Sequence, residues 1–169
     1  MHFISTRGDT TRYSSAMAIK QGIAPDGGLF VPEEIPQVSM DEIMQMTQES
    51  YQERAVRILS LYLTDYSIDE IREAVTAAYD EEKFGEIPAP LVQLNEYNDR
   101  EYILELWHGP TAAFKDMALQ LLPHLMTTAI RKTGETAEIC ILTATSGDTG
   151  KAALEGFRDV EGTSVIVFY

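Results

Sequence analysis

The stretch that most limits the fold is the last one, running from "EICILTA" through "SGDTG" and "KAALEGFRD" to "SVIVFY". A short apolar run, a glycine-bracketed turn, a helix former and a second apolar run follow one another within about thirty residues, the length of a parallel βαβ unit. Parallel strands bury both faces, and an open sheet edge invites further pairing. Two such strands therefore belong in the middle of a larger doubly wound sheet. The expected fold class is α/β, and the 169 residues read as the front portion of a longer protein, truncated inside that sheet.

Upstream the pattern changes. "APLVQLNEYNDREYILELW" reads as a hairpin turning at Asn98–Asp99, with Tyr102, Leu104 and Leu106 alternating against Ile103, Glu105 and Trp107. "HGPTAAFKDMALQLLPHLMTTAIRKTG" reads as a turn and then a long, kinked, mostly buried helix, with Pro123 inside it and Gly134 past its end. Ser39 with Glu42, and Ser67 with Glu70, have the spacing at which two side chains cap each other's amides at a helix start. The first helix is expected to continue, with a break near Ser50, through "YQERAVRILSLYL". The second places Ile68, Ile71, Val75 and Ala78 on one face. In "APDGGLFVPEEIP" three prolines and two adjacent glycines predict a loop that packs Leu29, Phe30 and Val31. Residues 1–89 thus form a mainly helical region, and residues 90–169 a hairpin followed by the first, incomplete βαβ part of a sheet domain.

Charge and cysteine content narrow the partners. With 27 acidic against 13 basic side chains the net charge is -14, which repels nucleic acid and anionic membranes. Hydrophobic residues make up 44%, enough for one domain with a core. Cys140 is the single cysteine, so neither an internal disulfide nor a thiolate metal cluster is expected, and in its apolar strand it reads as a small hydrophobe. No run reaches the roughly 18 apolar residues of a membrane helix, and the first residues lack a secretory core. A cytoplasmic location is the expectation. His108 and His124 read as structural residues.

Two places invite chemistry. In "TATSGDTGKAA" a nucleotide-binding loop is excluded by residues, because Thr145 stands where the pattern needs glycine and Ala152 where it needs a magnesium-binding hydroxyl. Two readings stay open there. Gly147 and Gly150 permit positive dihedral angles while Ser146, Asp148 or Thr149 caps a helix, or the helix start clamps a small anion at the carboxyl end of a parallel strand. In "HGPTAAFKDMALQ", with Thr111 as helix cap, Lys115 falls in the first turns, where the helix dipole disfavours an ammonium group. Asp116 compensates, or burial or bonding to a carbonyl keeps the amine neutral; the alternative is an exposed lysine on a surface helix.

Four separated segments, "STRGD", "GIAPDGGLFVPE", "ELWHGPTAAFKDMALQ" and "ATSGDTGKAA", in that order and spacing, closely resemble the threonine synthase family, whose enzymes depend on pyridoxal 5′-phosphate. The resemblance implies the tryptophan synthase β-like fold group (fold type II) and conversion of O-phosphohomoserine and water to threonine and phosphate. It implies that Lys115 holds the cofactor as a Schiff base, with Phe114 and Asp148 beside it. It further implies that Ser146, Gly147, Asp148 and Thr149 face the ring and the substrate's α-carboxylate, with no metal involved. The family's phosphate-binding segment and the residue that addresses the pyridine nitrogen lie farther along its chain. The fragment by itself is therefore expected to be inactive, to capture cofactor weakly and to self-associate through its sheet edge. The alternatives are a non-catalytic interaction module or another fold type II enzyme, such as a threonine dehydratase or a cysteine synthase relative.

Overall fold

A computed structural model describes residues 1–95, 98–145 and 147–168. In chain order the elements are β1 (Phe3–Ser5), α1 (Ser15–Gln21), β2 (Phe30–Pro32), α2 (Met40–Met46), α3 (Tyr51–Tyr62), α4 (Ile68–Ala78) and α5 (Glu81–Phe84). There follow β3 (Leu91–Asn95), β4 (Asn98–Leu104), α6 (Asp116–Leu119), α7 (Leu122–Lys132), β5 (Ile139–Ala144), α8 (Asp148–Gly156) and β6 (Thr163–Phe168). The chain divides into two compact units, Met1–Thr76 with His124–Ala137, and Ala77–Pro123 with Glu138–Tyr169.

In the first unit, helix starts follow the serine–glutamate spacing. Ser39, Ser50 and Ser67 each accept the N–H of the residue three positions on at 3.2 Å. Glu42, Glu53 and Glu70 accept the serine N–H in return at 2.7 Å. Two orphan amides are satisfied at each start, and the box at Ser50 is the break expected there. On α4, Ile71 and Val75 are buried as the periodicity predicts, together with Leu63, Tyr66, Leu125, Met126 and Ala129. Ile68 departs from the expected face and is 49% exposed. The Tyr66 hydroxyl donates to the Leu125 carbonyl at 3.0 Å, and burial pushes its phenol pKa up. Lys132 pairs with Glu70 at 2.9 Å.

The "APDGGLFVP" segment is not the apolar loop expected. Phe30–Pro32 pairs antiparallel with β1, and Leu29 stays exposed, because what anchors the segment is polar. One Asp26 carboxylate oxygen accepts the Ser5 hydroxyl at 2.6 Å and the Gly28 N–H at 2.9 Å, and the other accepts the Asp9 N–H at 3.1 Å. A Cβ on Gly28 would lie 2.1 Å from the Ser5 hydroxyl. Only glycine admits that approach.

The second unit holds the hairpin and the βαβ element. β3 and β4 pair antiparallel, Leu91 opposite Leu104 and Asn95 opposite Asn98. Asn98 and Asp99 belong to β4 rather than to the expected turn; residues 96 and 97 lie outside the description. The long helix expected after "HGPT" is two, α6 and α7, separated at Gln120–Leu121. Pro123 is the second residue of α7, where its missing N–H removes no intrahelical bond. Gly134, at φ 64°, lies just past the end as expected.

β5 and β6 are parallel and in register from Ile139–Thr163 to Ala144–Phe168, with α8 between them in sequence, so the predicted βαβ unit is present. Its burial differs from expectation. Burial along β5 alternates, and Leu142, Ile166 and Phe168 lie on the open face. Cys140 is exposed too, not a buried hydrophobe. Gly150 of α8 approaches Val167, so the helix covers the other face only. Among the described residues no helix is long and apolar enough to cross a membrane, and no three metal-ligating side chains gather.

Several carboxyls lie below their ordinary range. The Ser5 hydroxyl and Gly28 N–H lower Asp26, Ser39 lowers Glu42, and the Ser50 N–H and hydroxyl lower Glu53. At Glu70 burial pushes upward, and the Ser67 N–H and Lys132 outweigh it. Groups depressed in the folded state contribute stability above their unfolded values, about 3.9 to 4.3, and lose it as pH falls through the folded ones. The urea midpoint is expected to hold between about pH 7 and about pH 5 and to fall below about pH 4. Glu70→Gln should shrink that fall; an equally deep fall in the variant would assign it to other groups.

Candidate functional site

The second unit brings the "HGPTAAFKD" loop and the start of α8 together. The loop leaves the hairpin where the Glu105 N–H donates to the Pro90 carbonyl at 2.9 Å. His108 lies 2.7 Å from the Glu105 carboxylate and stacks on Trp107 with centroids 6.0 Å apart. The chain then turns tightly, the Ala112 N–H reaching the Gly109 carbonyl at 2.9 Å, and Ala112 sits at φ 56°, a left-handed conformation unusual for a residue with a Cβ.

Thr111 is the hub of this loop, not the helix cap expected of it. Its N–H and its hydroxyl donate to the two oxygens of Asp116, each at 2.8 Å. Asp116 is completely buried. A Cβ on Gly109 would lie 2.4 Å from the Asp116 Cβ and 2.6 Å from one carboxylate oxygen, so the side chain fills the space that glycine leaves. The Thr111 carbonyl accepts the ammonium of Lys151, on α8, at 3.4 Å.

Lys115 therefore stands at the N-cap of α6, one residue before the helix, rather than within its first turns. Asp116 does not pair with it, since both of its oxygens serve Thr111. The Lys115 ammonium lies 4.1 Å from the centroid of the Phe114 ring, a cation–π contact. Lys115 is half-buried, Phe114 is exposed, and no carboxylate pairs with Lys115 among the described residues. An amine with no salt-bridge partner, half in and half out of solvent, is chemically available.

At the second place the glycines work differently from expectation. Gly147 is the N-cap of α8 at φ -114°, and neither it nor Gly150 has a positive φ. Gly150 is buried, and a Cβ there would come within 3.0 Å of both Thr145 and Val167. Close packing of helix on strand, not dihedral freedom, requires it. The N-cap Gly147 has no side chain with which to cap α8, its N–H donates to the Thr145 hydroxyl at 3.1 Å, and Asp148 and Thr149 lie inside the helix rather than at the expected capping position; all three residues are exposed. Ser146 lies outside the described residues. The start of a nine-residue helix suits an anion.

α8 is held against the lysine loop by backbone. A Cβ on Gly156 would lie 2.0 Å from the Leu119 carbonyl oxygen, so the two helices cross at glycine contact. A separate cavity of about 860 Å³ is lined by Glu49, Arg57 and Arg72 among others and by no lysine; it has no amine for a carbonyl ligand.

Residues 2–79 match the family described as threonine synthase N terminus. Threonine synthase of Pseudomonas aeruginosa is 39% identical over 100% of the chain and 35% of that protein. This chain matches the N-terminal portion of threonine synthases. The fold agrees as well: the pyridoxal-phosphate-bound threonine synthase of Brucella melitensis superposes with a TM-score of 0.89 at 36% identity, over 99% of this chain and 35% of that one. Yeast threonine synthase superposes with a TM-score of 0.87 at 37% identity, over 98% and 35%. The chain spans about a third of the length of the threonine synthases it matches.

Residue-level reading missed the hydrogen-bonding roles of Asp26, Thr111 and Lys151. Asp26 sits beside two glycines, which is the signal of a carboxylate closing a turn. For the other two no local pattern exists, since their partners are set by the fold. The Gly156 contact leads to a direct expectation. Gly156→Ala should lower stability by roughly 1–3 kcal/mol, the cost of overpacking, in urea unfolding. Gly147→Ala, where the nearest atom is 3.8 Å away, should stay within about 0.5 kcal/mol. Equal effects would refute the backbone crossing.

Proposed function

We propose that this chain is the N-terminal part of a threonine synthase that converts O-phosphohomoserine and water to threonine and phosphate, with pyridoxal 5′-phosphate held on Lys115. The observation that carries the reading is Lys115 itself: a half-buried amine, unpaired by any carboxylate among the described residues, in a loop tied to the first turn of α8 through Lys151. The cofactor needs an amine for its aldehyde, and an amino-acid substrate needs donors for its carboxylate. Lys115 and the first turn of α8 fit both needs. When bound, the cofactor supplies an electron sink for the substrate's α carbon.

The chain's own residues do the rest. The Lys115 amine, tethered by its stem, moves the proton at the α carbon as base and then acid. The N–H groups at Asp148 and Thr149, with Gly147 and Ser146 beside them, hold the α-carboxylate and so fix which bond faces the ring. Phe114 lies alongside the lysine, where its ring shields the amine from water, and Asp148 borders the cofactor. We place the protein in the cytoplasm, as its single free thiol suits, and assign the complete domain to fold type II, with residues 1–89 preceding it.

The test is chemical trapping. Pyridoxal 5′-phosphate and borohydride, followed by peptide mapping, should label Lys115 ahead of the other lysines. Labelling spread evenly over surface lysines would favour a non-catalytic interaction module. The chain alone is further expected to release no measurable phosphate from O-phosphohomoserine, and to self-associate along the β5–β6 edge at high concentration. Turnover like that of a complete enzyme, or a strictly monomeric species by light scattering, would count against those two expectations.

A further inference from the structure

The reading above uses the amine of Lys115 and leaves unexplained the buried acid beside it. We infer that Asp116 is a positioning residue for Lys115, acting through Thr111. The inference rests on the proposed function, because it concerns what Lys115 is aimed at. An aspartate in the first turn of a helix ordinarily accepts N–H groups of that helix. Asp116 instead reaches backward. Both its oxygens are taken by Thr111, five residues earlier, at 2.8 Å.

That arrangement closes a ring of chain running from residue 111 to residue 116, with Lys115 inside it. Three features indicate that the ring is held rather than relaxed. Ala112 sits at φ 56°, a left-handed conformation disfavoured for a residue with a Cβ. Gly109 leaves room that the Asp116 side chain fills completely. Asp116 has no exposed surface, so water cannot replace Thr111 as its partner. The ring is then tied sideways, since the Thr111 carbonyl accepts Lys151 from the helix whose start holds the substrate carboxylate in the proposed function. One residue, Thr111, thereby fixes the lysine loop to both its own buried acid and the substrate-side helix. Lys151, which fails as a nucleotide-binding lysine, acquires a use in this scheme.

The experiment compares Thr111→Val with Thr111→Ser on the chain, using pyridoxal 5′-phosphate, borohydride trapping and peptide mapping. Valine keeps the shape and the N–H but deletes the hydroxyl donor; serine restores it. The ratio of label on Lys115 to label on other lysines is expected to drop roughly tenfold in the valine variant, the effect of losing one hydrogen bond to a charged group, and to return in the serine variant. Lys151→Ala, at an exposed position, should lower the same ratio several-fold, and it decides the matter where the valine variant does not fold. A valine variant that melts earlier yet labels Lys115 with unchanged selectivity would make Asp116 a purely structural acid and overturn the inference, leaving the proposed function standing. Wild-type protein that shows no preference for Lys115 would overturn both.

Discussion

A carboxyl group with no solvent contact dictates the geometry of the second unit. Burying a charged acid without partners costs several kcal/mol, and a hydrogen bond to a charged group recovers about 1.5–3 kcal/mol. Asp116 obtains two from one residue. The left-handed Ala112 costs about 1–2 kcal/mol, less than the two bonds together. The clamp therefore wins over the backbone preference, and the strained turn is its consequence. Lys115 follows at the junction of that turn with α6, and α6 in turn packs on α8 at the Gly156 contact. A chain of close contacts thus runs from a buried acid to α8, the helix whose first turn suits an anion.

How much of this is legible in the sequence depends on how far apart the interacting groups are. The boxes at Ser39 and Ser67 are readable because serine and glutamate sit three residues apart and need only a helix between them. The parallel pair β5–β6 is readable from two apolar runs with a helix between. The Thr111–Asp116 clamp is not, because it requires Ala112 at positive φ, and no rule assigns that conformation to alanine. The split between α6 and α7 is hidden for a related reason: Pro123 marks a helix start as readily as a kink. Gly147 and Gly150 show a further limit. Glycine serves both dihedral freedom and close approach, and only the observed φ values and the nearness of Val167 decide for packing at Gly150.

The apolar residues outside the core carry their own constraint. Leu91, Leu94, Tyr102 and Leu104 of the hairpin, Trp107 and Phe114 of the lysine loop, and Leu142, Ile166 and Phe168 of the parallel pair are all more than half exposed or close to it. Single exposed hydrophobes are ordinary; a run of them along one hairpin and one sheet face is not. The solved threonine synthases that superpose on the chain are about three times as long. The proposed function gives these faces their natural cover, the remainder of such a protein, and the same surfaces account for the expected self-association of the chain alone.

Charge then poses the sharpest question for the proposed chemistry, in which a chain of net charge -14 would accept a phosphorylated, carboxylated substrate. Long-range repulsion decays over about 8 Å at physiological salt, so the field inside the site is set by its nearest groups. Those are Lys115, unpaired by any carboxylate among the described residues, Lys151 at the Thr111 carbonyl, and the first turn of α8, whose partial positive charge of roughly half a unit is set against the carboxylate of Asp148 in that turn. The one acid deep in this loop, Asp116, has both oxygens engaged by Thr111 and turned toward Gly109, so its lone pairs are spent on the loop rather than presented to an incoming anion. Clamping the acid and leaving the lysine without a carboxylate partner are thus two results of one arrangement, and they leave Lys115 and Lys151 to offset Asp148 in the proposed site.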